Sequence, residues 1–355
     1  MLAEEQALLF RQLFDRESCT YTYLLADEAS RAAVIIDPVF EHHARDTALI
    51  RELELNLLYT LDTHAHADHI TGAWLLKRAF GCKIVLSRRY EATGVDEAVD
   101  HGSHIAFGEH ALEVRATPGH TAGCVTYVAA SRALAFTGDT LLIRGAGRTD
   151  FQQGSAATMY RSIREQIFTL PERCSLYPAH DYKGRTVTTV GEEIKFNARV
   201  GGDANLTDFV GYMENLNLPH PRKLEIAVPA NLRSGRPEDE REHASPTWGP
   251  VVMSYAGVPQ LEAEWVLQHL DAVHILDVRS PEEFSGSDLG RIEGAQSIPL
   301  AELPARVAEV PRDKPVVSVC RSGRRSARAT LMLRENGFTD VANLIGGMIR
   351  VRATK

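Results

Sequence analysis

Thr63-His64-Ala65-His66-Ala67-Asp68-His69 sets three imidazoles and a carboxylate side by side, directly after the apolar run Leu57-Leu58-Tyr59-Thr60-Leu61. A strand that ends in H-x-H-x-D-H delivers metal-ligand side chains to one rim of a sheet. Alternation along an extended segment predicts His64 and His66 on the same side, with Asp68 and His69 continuing into the turn. Imidazoles this close, without other partners in the local sequence, point to a shared metal rather than to a solvated loop.

Working outward, the same event recurs three times. A strand-like run ends in a short polar turn at Thr117-Pro118-Gly119-His120, at Thr137-Gly138-Asp139 and at Pro178-Ala179-His180. Loops on one edge of a rigid sheet are where sites collect. Before the first turn, residues 8–36 read as an antiparallel meander and residues 41–55 as a helix. A second helix is expected from Ile70 to Phe80, stopping at Gly81, with a strand over Lys83–Ser87. Further strands are expected near Ile105, Leu112, Val125 and Ala133, and a helix over Ala156–Phe168. His42, His43, His101, His104 and His110 read as structural or solvated, and Cys82 and Cys124 as small core residues.

The 355-residue length suggests two domains, each able to bury a core. Hydrophobic content of 44% and charged content of 24% are those of a globular protein. No apolar run approaches a membrane span, and the N-terminus lacks a basic start. The five cysteines are scattered and never in C-x-x-C spacing, which predicts reduced thiols and a cytoplasmic setting. Net charge is −8, which disfavours nucleic acid. Residues 258–355 hold 13 Lys+Arg and 13 Asp+Glu, so the whole −8 falls in residues 1–257.

HAHADH, PGHT, TGD and PAH together resemble the metallo-β-lactamase superfamily, which implies an αββα sandwich over roughly residues 10–200. In that superfamily one metal would take His64, His66 and His120 with Asp139 bridging, and a second Asp68, His69, Asp139 and His180. The finer sequence is similar to the persulfide dioxygenases of the ethylmalonic-encephalopathy type, through RGAGRTDFQQG (144–154), HDYKGR (180–185) and the run from Leu216 to Asn231. That resemblance implies one Fe(II) per chain on His64, His120 and Asp139, with His66, Asp68, His69, His180 and Asp181 around the pocket. Two imidazoles and a carboxylate on one face leave about three positions for O2 and a substrate sulfur. The resemblance also implies glutathione contacts at Arg148 and Tyr182. Arg148 has the alternative of holding its own loop through Asp150, and Asp181 that of capping a turn.

After Asn231 the composition shifts, and residues 236–256 read as a linker rich in Pro, Gly and charge, although Trp248 and Val251–Tyr255 could pack on a domain. The boundaries expected are 1–235 for the first domain and 257–355 for the second. Strands at 274–279 and 315–319, alternating with helices, imply an α/β unit with a mostly parallel sheet. Cys320-Arg321-Ser322-Gly323-Arg324-Arg325 sits between a strand and a helix, where inward N–H groups and guanidinium groups favour a thiolate. DVRSPEEF (277–284), this loop and NLIGGM (343–348) resemble a rhodanese-type sulfurtransferase. The resemblance implies that Cys320 carries the sulfane sulfur and that Arg325 stabilises it, with Arg321, Ser322, Gly323 and Arg324 completing the persulfide loop.

The combined expectation is an enzyme that oxidises glutathione persulfide with O2 to sulfite and glutathione, linked to sulfur transfer between persulfide or thiosulfate and sulfite or glutathione. It needs no nucleic acid and no membrane, and it leaves homo-oligomerisation open. The runner-up is a glyoxalase-II-like dinuclear zinc hydrolase of hydroxyacylglutathione fused to a sulfurtransferase. A third reading is a sulfur carrier whose working residue is Cys320.

Overall fold

The computed structural model describes residues 8–216, 218–219, 223–238, 248–286 and 289–354. It divides into two compact units, Met1–Glu238 and Asp239–Lys355. The middle of the expected linker, 239–247, lies outside the described residues, as do 217 and 220–222 of the run before Asn231.

In the first unit, β1 (Leu8–Phe14), β2 (Tyr21–Asp27) and β3 (Ala32–Ile36) form the expected antiparallel meander. β4 (Asn56–Leu61), β5 (Lys83–Ser87) and β6 (Glu97–Val99) extend that sheet in parallel. A second six-stranded sheet contains β7 (His104–Phe107), β8 (His110–Ala116), β9 (Val125–Ala129), β10 (Leu134–Gly138), β11 (Ser175–Pro178) and β12 (Thr188–Thr189). β2 and β3 are buried along their whole length, so apolar side chains occupy both of their faces instead of alternating with exposed polar ones.

Tyr23, Leu25, Val34 and Ile36 of the first sheet share one core cluster with Phe107, Val114, Tyr127 and Phe136 of the second. The outer face of the first sheet packs with α1 (His43–Glu52) and α2 (Ala73–Phe80) through Leu24, Ile35, Ile50 and Leu76. The second sheet is covered by α3 (Ala156–Ser162) and α5 (Leu206–Glu214), using Met159, Ile163 and Phe209. The result is the αββα sandwich, with α4 (Val190–Phe196) and α6 (Leu224–Asn231) completing the unit. α2 stops where Gly81 takes φ +72°, a left-handed C-cap open to glycine. α3 starts on Ser155, whose hydroxyl accepts from Thr158 N. The helix expected to reach Phe168 changes instead to a π-turn over Ile163–Ile167.

The second unit is a six-stranded sheet in the order β13 (Val252–Met253), β14 (Pro259–Leu261), β18 (Val341–Leu344), β17 (Val316–Val319), β15 (His274–Asp277), β16 (Gln296–Ser297). All its pairings are parallel except β13 with β14. Its helices are α7 (Ala263–Gln268), α8 (Pro281–Gly286), α9 (Leu303–Arg306), α10 (Arg324–Glu335) and α11 (Gly347–Thr354). Trp248 and Val251 pack against this unit's core, which therefore begins before Gly257. Among the described residues, no helix is long and apolar enough to cross a membrane.

Candidate functional site

Strand alternation stops at Leu61, so His64–His69 lie in a bend and not on a continuing strand. The loop is shaped by buried polar partners. Asp37, at φ +51°, accepts from Thr63 N at 2.7 Å, from Thr63 Oγ1 at 2.9 Å and from His66 Nε2 at 3.1 Å. From the other side, Asn231 Nδ2 donates to the carbonyls of His66 and His69, each at 2.9 Å, while its Oδ1 accepts from Thr71 N at 2.8 Å.

His64, His120 and Asp139 are buried and bring one ligand atom each within 4.8 Å of the others. Their tautomers follow from the hydrogen bonds. The Thr63 hydroxyl gives its single proton to Asp37, so at 3.0 Å it can only accept from His64 Nδ1–H. His120 Nδ1–H donates to the Arg148 carbonyl at 2.7 Å. Each ring is left with Nε2 as its lone-pair nitrogen, and His120 Nε2 lies 3.7 Å from Asp139 Oδ2. Burial holds both imidazoles below their usual pKa, so they are neutral donors. Burial opposes the charge on Asp139, but His180 beside it keeps the carboxyl well below its usual range. A neutral, neutral, anionic set of this kind fits a divalent cation.

His180 is occupied elsewhere. Its Nδ1 donates to Asp139 Oδ1 at 2.7 Å and its Nε2 to Asp68 Oδ2 at 2.9 Å, with Thr20 Oγ1 at 3.0 Å from the same nitrogen. Asp68 Oδ2 also accepts from His69 Nδ1 at 2.9 Å. His66, Asp68 and His69 form a second ligand-type cluster, in which His66 Nδ1 and His69 Nε2 are buried without a hydrogen-bond partner. Burial opposes charge on His66, yet the adjoining Asp37 carboxylate lifts its pKa to about 8.

Arg148 forms a bidentate pair with Asp150, both bonds 2.6 Å, and donates to the carbonyls of Pro219 and Leu218. It also lines a cavity of about 360 Å³ with Thr149, Asp150, Ser155 and Glu214. Tyr182 is exposed and its ring stacks on His180 at 6.1 Å. Asp181 caps its own turn, accepting from Lys183 N and Arg185 N at 2.8 Å. Thr20, Asp37, Thr63 and Asn231 are the residues that sequence reasoning missed. Thr20, Asp37 and Thr63 each adjoin the end of an apolar strand, whereas Asn231 ends α6 and carries no such signal.

In the second unit, Cys320 lies at the end of β17, and Gly323, at φ +88°, starts α10. Burial opposes ionisation of the thiol. The Ser326 hydroxyl, 3.4 Å from Sγ, and the backbone N–H groups of Ser326, Ser322 and Gly323 outweigh it and lower the thiol pKa. Arg325 forms a bidentate pair with Glu283 on α8, both bonds 2.7 Å. Arg321, Ser322 and Arg324 are exposed around the cradle. Gly347, at φ +57°, lies against the Cys320 carbonyl, where a Cβ would come within 2.3 Å. Met348 N donates to that carbonyl at 2.8 Å.

Comparison with known proteins adds the family. The metallo-beta-lactamase superfamily pattern matches residues 19–180, and the rhodanese-like domain pattern residues 262–353. The mouse (Mus musculus) protein named persulfide dioxygenase ETHE1, mitochondrial, is 56% identical over 229 residues, 64% of this chain and 89% of the mouse protein. The crystal structure of ETHE1 from Myxococcus xanthus aligns at TM-score 0.62 and 47% identity, covering 64% of this chain and all of that one. A metallo-beta-lactamase structure from Staphylococcus aureus covers 96% of this chain and 98% of its own at TM-score 0.61, and at 21% identity it speaks for the fold alone. The chain belongs to the metal-binding persulfide dioxygenase family of the metallo-beta-lactamase superfamily, and a rhodanese-like domain follows its dioxygenase domain.

Proposed function

We propose that His64, His120 and Asp139 hold one Fe(II) per chain, and that the first domain oxidises the sulfane sulfur of glutathione persulfide. One persulfide, one O2 and one water give glutathione, sulfite and two protons. The observation that carries this reading is the pair of locked tautomers, which present His64 Nε2 and His120 Nε2 beside the Asp139 carboxylate. When bound, Fe(II) supplies the one-electron chemistry with O2 that zinc lacks. The chain's own residues position and bind. His180 spans Asp139 and Asp68 with both nitrogens, and in this reading it holds the Asp139 carboxylate in place. His66, Asp68 and His69 wall the site, while Asp181 holds the turn that carries Tyr182. The Asp150 carboxylate on Arg148 marks the fork that a glutathione carboxylate would take over by exchange, and Tyr182 offers a ring face at the rim.

The second domain transfers sulfane sulfur through Cys320. The thiolate attacks the outer sulfur of a persulfide or of thiosulfate, releasing glutathione or sulfite, and the resulting Cys320 persulfide passes its sulfur to sulfite or glutathione. Backbone N–H groups and Ser326 hold the anion, Arg325 pairs with it, and Arg321 and Arg324 attract anionic donors. Sulfite made at one site is thus an acceptor at the other. Anaerobic metal analysis followed by an O2-electrode assay with glutathione persulfide tests the reading. One iron per chain with persulfide-dependent O2 uptake supports it, and two zinc ions with no uptake overturn it.

A further inference from the structure

We propose that Gln152, with Tyr90 opposite it, is a positioning residue of the metal centre that grips the peptide at Ala65, between His64 and His66, and ties it to the loop after His120. Gln152 Nε2 donates to the Ala65 carbonyl at 3.0 Å. The Gln152 carbonyl accepts from Ala122 N, at 3.4 Å, two residues after His120. One peptide earlier, the Ala65 N–H of the His64–Ala65 peptide is the backbone partner of the Tyr90 hydroxyl, which also hydrogen-bonds Thr121 Oγ1, next to His120. Tyr90 comes this close because residue 123 is glycine. A Cβ there would lie 2.5 Å from the Tyr90 ring.

Two features set Gln152 apart from an ordinary loop residue. Gln152 and Gln153 are consecutive non-glycine residues in the left-handed region, at φ +48° and +58°. Gln152 Oε1 is also buried without a hydrogen-bond partner. Both are unfavourable, and backbone strain together with a buried orphan acceptor persists where a constraint overrides local preference. The donation to Ala65 supplies that constraint. It also fixes the amide, because the flipped form would set Oε1 against the Ala65 carbonyl oxygen. The same loop meets the other ligand directly. The Phe151 ring stands edge-on to His120 at 5.6 Å, and Gly154 lies where a Cβ would come within 2.8 Å of the His120 carbonyl. One loop therefore sets the spacing of His64 and His120, whose rings stand 4.9 Å apart at 90°.

This inference rests on His64 and His120 being ligands, and its test separates the two claims. Co(II) is titrated into the metal-free full chain, with its visible absorption recorded, for wild type, Gln152→Met, Tyr90→Phe and His120→Ala. Gln152→Met keeps the size of the side chain and removes the donor. It is expected to weaken Co(II) binding about 10- to 100-fold, the range for residues that orient metal ligands, and to shift the absorption band. Tyr90→Phe is expected to do the same to a smaller degree, and Gln152→Asn to recover part of the affinity. Wild-type affinity and an unshifted band in Gln152→Met overturn the proposal. So does a loss of affinity that only tracks a fall in the metal-free melting temperature with the band unshifted. If His120→Ala binds Co(II) as wild type does, the ligand assignment fails instead.

Discussion

The two reactive centres of this chain are built in opposite ways. The first collects side chains from the ends of β4, β8, β10 and β11, and holds them with further side chains from the residue before β2, the turn after β3, and α6. The second takes its thiol and its anion-holding N–H groups from seven consecutive residues, Cys320 to Ser326. A centre assembled over long distances depends on the sheets that carry it. A centre assembled within one strand–loop–helix unit depends on local backbone conformation. The first therefore fails through its distant supports, and the second mainly through its own loop.

Removing one reactive group from each centre separates the two most strongly. His120→Ala is expected to lower persulfide-dependent O2 uptake by roughly 10³-fold or more and to release metal, with sulfur transfer retained. Cys320→Ser is expected to do the converse, by a similar factor. Loss of both activities in either variant, followed by O2 electrode and sulfur-transfer assay, would show that the centres are not separable.

Next comes a support that touches no substrate. Asn231→Ala removes three buried hydrogen bonds from the HAHADH loop, so it is expected to destabilise the first unit by about 2–4 kcal/mol. Denaturant unfolding and metal content measure it, and unchanged values would mean that the loop stands without its clamp. The second centre offers a contrasting test. Ser326→Ala deletes the hydroxyl on Cys320, and the midpoint of thiol alkylation by iodoacetamide is expected to move to higher pH.

The smallest effect is at the rim. Glu283→Gln breaks the pair with Arg325, whose side chain is 39% exposed, so the cost at neutral pH is expected to stay below about 1 kcal/mol. Glu283 has its pKa lowered to about 2, because Arg325 bonds its charged form. Its contribution is thus present above the ordinary Glu value and lost as pH falls through about 2. Wild type and variant should converge in acid unfolding.

The same contrast explains what could be read in the sequence. HAHADH, PGH, TGD and PAH were legible because ligand-type residues follow apolar runs, and the strands between them have clear patterns. The Cys320 loop was legible because it is contiguous. Thr20, Asp37 and Asn231 were not, since each is an ordinary polar residue whose partners lie far along the chain, 160 residues apart for Thr20 and His180. Glu283 was hidden for the same reason, 42 residues from Arg325. Arg148 shows a different limit. Its guanidinium is the expected glutathione contact, while its backbone carbonyl, which no sequence pattern reports, fixes the His120 tautomer.

The Asn231 clamp also has a consequence in time. The last of the ligand-type side chains is His180, and the clamp comes 51 residues later (231 − 180). At about 5–20 residues per second, a ribosome needs roughly 3–10 s to cover that interval. During it, every candidate ligand has been synthesised while the HAHADH loop still lacks the amide that closes it from behind. A cation arriving then meets an unshaped site, whereas one arriving later meets a finished one. Closure of the HAHADH loop by this clamp is therefore a late event in synthesis, after every candidate ligand has been made.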